Sequence, residues 1–112
     1  MALAAILILG GCGGSNGPQS CPDDVPSACP NPAPSYAAQV APLLKRLCGG
    51  CHTAGGVEAK TSFDTLGQVQ MQRGHILSQL HGCLMPPADQ TQATPDERQT
   101  IFGWIVCGAT NN

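Results

Sequence analysis

Cys48, Cys51 and His52 stand in the run Cys48-Gly49-Gly50-Cys51-His52, which puts two thiols and an imidazole within reach of one prosthetic group. Two thiols at this spacing can each add to a haem vinyl group, and the histidine directly after them can sit under the iron as its proximal ligand. Zinc sites and thiol redox enzymes use the same cysteine spacing. The adjoining His52 tilts the reading toward haem. Its other ring nitrogen is then expected to donate to a backbone carbonyl in the loop from Thr53 to Ala59, which fixes the tautomer and the ring plane.

Helices must position these groups. Ser35 reads as an N-cap, and Val40, Leu43, Leu44 and Leu47 fall on one face of a helix running into the motif, with Pro42 shifting its start or kinking it. Gly49 and Gly50 are expected to release the chain from that helix, and Gly55-Gly56 marks a loop. Leu66, Val69, Arg73, Ile76, Leu77 and Leu80 recur at helical spacing, while Gly67 and Gly74 predict two short helices in place of one long one. Thr94-Pro95-Asp96-Glu97 is a helix start, with Thr94 as N-cap, Pro95 at the first position and Glu97 completing a capping box. Ile101, Trp104 and Ile105 give that last helix its buried face, and Gly108 ends it. No segment alternates as a strand. The expected fold is an all-α domain of three to four short helices over residues 35–110.

A chain of 112 residues is one small domain. It has only four Phe, Trp or Tyr residues, so its core is thin and calls for a staple or a cofactor; a covalent haem would meet that need. The net charge of −2 argues against nucleic acid, which demands a basic surface. From Tyr36 onward five basic and five acidic residues cancel, leaving no charge signature for a partner; the acidic excess is Asp23-Asp24. Lys45 and Arg46, just before the motif, read either as a small docking patch or as the solvated side of a helix.

At the amino terminus, Ala2 to Leu9 is almost wholly apolar, too short to span a membrane, and followed by Leu9-Gly10-Gly11-Cys12. This is similar to the lipobox of bacterial lipoproteins, although no Lys or Arg precedes the apolar run. The likeness makes 1–11 a signal peptide and Cys12 the acylated anchor, and it implies export to the periplasmic side of a bacterial membrane. Residues Gly13 to Pro34 hold six of the ten prolines and no hydrophobic period, so 12–34 reads as a tether. With Cys12 assigned to lipid and Cys48 and Cys51 to haem, Cys21, Cys29, Cys83 and Cys107 remain, an even number that suggests two disulfides in an exported chain. Of the three connectivities, Cys21–Cys29 within the Pro-rich segment and Cys83–Cys107 within the domain are favoured. The competing use is a four-thiolate zinc site of Cys48, Cys51, Cys83 and Cys107.

From about Tyr36 to Cys107 the chain resembles a small class I c-type cytochrome domain: a helix into Cys48-Gly49-Gly50-Cys51-His52, a middle segment, Met85-Pro86-Pro87, and a last helix with Trp104. Cys83 to Pro87 and Trp104 to Gly108 are similar to stretches of cytochrome-like domains in bacterial lipoproteins. The resemblance implies one covalent haem c on Cys48 and Cys51, with His52 as proximal and Met85 as distal iron ligand. It implies a non-enzymatic carrier of single electrons between periplasmic or membrane redox proteins. A thioether is a soft, neutral ligand that favours ferrous iron, and Pro86 and Pro87 stiffen its segment. Met71, His75 and His81 are rival ligands, each with a plainer reading as packing or helix surface. A Cys83–Cys107 bridge would pin the Met85 loop to the last helix. Two other readings stay open: a haem enzyme or gas-binding domain with an open distal site, and a haem-free zinc or thiol module.

Overall fold

Ser35 opens the helical part of the chain as expected, its hydroxyl accepting from the Ala38 N–H. The first turn, Tyr36–Val40, is nonetheless wide: the Val40 N–H reaches Ser35 O at 3.1 Å and the Ala41 N–H reaches Tyr36 O. Pro42 accounts for this, because it has no amide to bond back to Ala38 and its ring crowds that carbonyl, so the turn ahead of it opens to π-helical spacing. Beyond it α1 runs over Ala41–Leu47 with Pro42 in its first turn. A 3₁₀ turn at Ala59–Thr61, α2 at Leu66–His81 and α3 at Pro95–Val106 complete the order. The computed structural model describes residues 21–112. Among them there is no strand, in keeping with the all-α expectation, and no helix long and apolar enough to cross a membrane. The apolar run, Cys12 and the rest of 1–20 lie outside the described residues.

The segment expected to break into two helices is one helix of 16 residues. A capping box starts it, with the Thr65 hydroxyl accepting from the Gln68 N–H and the Gln68 side chain accepting from the Thr65 N–H. Val69, Ile76 and Leu80 are buried along its length, so one packed face spans both glycines. Gly67 and Gly74 face open space, and each weakens the helix by only about 1 kcal/mol relative to alanine, less than a buried aliphatic side chain contributes. The Thr94–Glu97 capping box of α3 forms as read.

Val40 and Leu44 from the first helical stretch, Val69, Ile76 and Leu80 from α2, and Ile101, Phe102 and Trp104 from α3 make the core, with α3 packed on both the Tyr36–Val40 turn and α2. The Trp104 indole lies against Tyr36 with ring centroids 5.1 Å apart and planes tilted by 34°, and its N–H donates to Thr110 O at 2.9 Å, so this buried polar group is satisfied.

Residues 21–34, read from composition as part of a tether, are bound to the domain. The disulfides are Cys21–Cys83 and Cys29–Cys107, which corrects the expected Cys21–Cys29 and Cys83–Cys107 pairs. The physical reason is that the Pro-rich segment has partners on the domain, which composition did not reveal. Asp24 accepts from the Arg98 guanidinium at 2.7 and 2.8 Å, and Arg98, 6% exposed, also donates to Leu80 O at 2.7 Å and lies over the Phe102 ring. Gly103 shows how close the segment comes: a Cβ there would sit 3.1 Å from the rings of both Pro30 and Pro34. A glycine inside a helix is otherwise unfavourable, and here it admits the proline segment against α3.

Candidate functional site

α1 ends at Leu47 and the cysteine motif follows it in a hydrogen-bonded turn, so the chain leaves the helix there, as Gly49-Gly50 suggested. The Cys48 N–H bonds Leu44 O at 2.8 Å, the Cys51 N–H bonds Cys48 O at 3.2 Å, and the His52 N–H bonds Cys48 O at 2.9 Å. A hydrogen-bonded turn is thereby closed over Cys48 to His52. Cys48 and Cys51 are both free thiols, partly buried.

From His52 the chain folds back on itself. Gly56 passes so near Cys51 O that any side chain there would collide with it, and the Glu58 N–H donates to that same carbonyl at 3.0 Å. Asp64 ties down the start of the loop, accepting from the Thr53 hydroxyl at 2.6 Å and the Ala54 N–H at 3.0 Å, bonds that hold its carboxyl below the ordinary range. The imidazole of His52 stacks on Phe63 with ring centroids 4.6 Å apart, and the Phe63 N–H donates to His52 O at 2.9 Å.

The ring's hydrogen bonding decides its tautomer. Nδ1 lies 2.9 Å from Thr61 O, and a carbonyl can only accept, so Nδ1 carries a proton and Nε2 is the nitrogen left without this partner. A backbone carbonyl was expected here, but from the Thr53–Ala59 stretch; Thr61 lies two residues beyond it. Phe63, Asp64 and Thr61 carried no sequence signal other than their place after the glycine loop.

Met85 comes to the same place from the segment that follows α2. After α2 the chain turns through Cys83, whose φ of 57° is left-handed, and both the Leu84 and Met85 N–H groups bond Gln79 O, at 2.9 and 3.2 Å. A left-handed residue other than glycine costs about 1–2 kcal/mol, and the helix-end hydrogen bonds and the link to Cys21 hold it there. The outcome is a cleft of about 260 Å³ lined by Cys48, Cys51, His52 and Met85 together. Its walls are apolar, with Leu44 and Leu47 from α1, Ile76 and Leu80 from α2, and Ile101 from α3. Met85 is 39% exposed at the mouth.

The rivals sort themselves by position. His75 lines the cleft. His81 does not, and pairs instead with Asp23 at 3.0 Å, while Met71 is 84% exposed and away from the cleft. Arg46 is ion-paired with Glu97, the capping residue of α3, which takes it out of a free docking patch. Cys83 and Cys107 are consumed by disulfides, so the four-thiolate zinc arrangement is overturned.

The donor set fits a covalently held haem. It offers two free thiols on one turn, an imidazole whose Nδ1 is already engaged by Thr61, a thioether, and apolar walls. Burial, with the neighbouring Cys51, pushes the Cys48 thiol up to about 11, which opposes the ready thiolate that a dithiol redox enzyme needs. No protein family, curated protein or solved structure matches the chain.

Proposed function

We propose that the chain is a c-type cytochrome domain that carries single electrons and is not itself an enzyme. Haem c would be held through Cys48 and Cys51, with His52 and Met85 as iron ligands. The observation that carries this is the convergence of these four side chains, drawn from two distant parts of the sequence, on one apolar cleft. When bound, the haem supplies a reversible one-electron couple. The chain's own residues do the rest. Cys48 and Cys51 fix the group's position covalently. His52 presents Nε2 with its plane held by Phe63 and Thr61. Met85 offers sulfur from the turn fastened to α2 and to Cys21, which favours the same ligation in both oxidation states. The aliphatic walls from all three helices exclude water and lower the local dielectric.

Export and acylation at Cys12 belong to this proposal, as do periplasmic or membrane redox proteins as partners. Expression with a cytochrome c maturation system tests it. The expected result is a haem retained after denaturation, a low-spin ferric spectrum with a Met–iron band, and loss of the haem in Cys48→Ser/Cys51→Ser. A colourless protein with the mass of the bare chain would sink it.

His75 on the cleft wall, with Met85 partly exposed, favours a second reading: an open-site haem domain that binds a gas or reduces peroxide. A resting high-spin ferric spectrum would select it.

A further inference from the structure

Thr61 meets His52 twice. Its carbonyl lies 2.9 Å from Nδ1 and its hydroxyl oxygen 3.0 Å from the same atom. The hydroxyl proton is directed elsewhere, to Glu58 O at 3.3 Å, so toward the ring Oγ1 presents lone pairs. One N–H is thus shared between two acceptors of a single residue.

We propose that Thr61 is the positioning and tuning residue of His52, acting through its hydroxyl as well as its carbonyl; this rests on the haem reading above. The main-chain carbonyl alone would fix the tautomer. The hydroxyl adds a second acceptor, which draws the Nδ1 proton outward, leaves the imidazole richer in electrons and strengthens Nε2 as a donor to iron. An electron-rich ligand favours ferric over ferrous iron, opposing the pull of the Met85 thioether.

The loop is built to keep this contact. The Thr61 N–H donates to Glu58 O at 3.0 Å, the Ser62 hydroxyl donates to Ala59 O at 2.6 Å, and Ser62 is only 9% exposed. With Phe63 stacked on the imidazole at 4.6 Å, the ring is held on one edge by Thr61 and on one face by Phe63. Valine at 61 would keep the branched shape and the carbonyl while removing only the hydroxyl.

The test compares Thr61→Val and Thr61→Ser in the haem-loaded protein, with His52 nitrogen shifts measured in the haem-free chain. The potential should rise in Thr61→Val, so that at a fixed poise the reduced-to-oxidised ratio increases about twofold to fivefold, the differential value of one modest hydrogen bond. Thr61→Ser should stay near the parent, and unchanged unfolding midpoints in both variants would separate tuning from a folding defect. In the haem-free chain the proton should reside on Nδ1. An unchanged potential in Thr61→Val, or a proton on Nε2, overturns the assignment. A chain that takes up no haem removes the tuning role together with the reading beneath it, while the nitrogen shifts still report on the hydrogen bond itself.

Discussion

Arg98 and Asp24 lie 74 residues apart and are joined by two short hydrogen bonds, Nε to Oδ2 at 2.7 Å and the second terminal nitrogen to Oδ1 at 2.8 Å. A guanidinium nearly closed off from water needs such a partner, because truncating one member of a buried pair leaves an uncompensated charge. Asp24→Asn should therefore destabilise the domain by about 3 kcal/mol in urea unfolding. Arg98→Met should cost less, since it removes the buried charge as well.

The same pair sets a pH response. The Arg98 hydrogen bond holds the Asp24 carboxyl below its ordinary value of 3.8, against some opposition from burial. Its contribution is complete above the unfolded carboxylate pKa and is lost as pH falls through the lowered folded value. Melting temperatures of the parent should drop through that acid window more steeply than those of Asp24→Asn. Parallel curves would show that Asp24 is not linked to folding.

Disulfide mapping of the oxidised protein should yield peptides joined through Cys21–Cys83 and Cys29–Cys107. Loops of 62 and 78 residues are large, and in the chain-entropy description closing either one stabilises by about 4 kcal/mol. Cys21→Ser/Cys83→Ser should lower the guanidinium midpoint accordingly. In the haem-loaded protein it should also weaken the ferric Met–iron band, since Met85 is two residues from the lost bridge; an unaltered band would mean that the Gln79 hydrogen bonds suffice.

Gly103→Val should destabilise by about 1–3 kcal/mol, because proline rings cannot swing aside as a flexible side chain would. Alanine at an ordinary helical position gains about 1 kcal/mol over glycine. Gly103→Ala should fail to show that gain in a thermal melt.

Cys48 in the haem-free chain should react slowly with iodoacetamide at neutral pH. Its rate should climb toward about pH 11, as burial and Cys51 hold the proton on sulfur. Site-resolved mass spectrometry across pH reads this directly, and fast alkylation at pH 7 would contradict it.

The helices and the iron-ligand candidates were legible because each rests on local pattern. Thr94 to Glu97 is a self-contained capping box, and Cys48 to His52 is five consecutive residues. What escaped was tertiary. Proline-rich composition made 21–34 look like a spacer, yet Cys21, Asp24 and Cys29 each have a partner more than 60 residues away. One sign was available: Arg98 stands three and four positions before Ile101 and Phe102, on a face that packing buries, and a cation there demands a carboxylate from elsewhere. The unbroken α2 escaped because glycine propensity is a weak term beside three buried anchors. Thr61 escaped because contact with His52 depends on how the loop closes.

The Cys21–Cys83 bond also works as a ruler. Measured to the first helical turn at Ser35, a lipid on Cys12 would give the domain a leash of roughly 75 Å at full extension. Measured to Cys21, where the chain is first fastened, the leash shortens to about 30 Å. That leash would be fastened through Cys83, two residues before Met85. A domain anchored in this way would patrol a thin layer next to the bilayer and not the full depth of the compartment. For the electron carrier proposed above, donors and acceptors would then have to come to that layer.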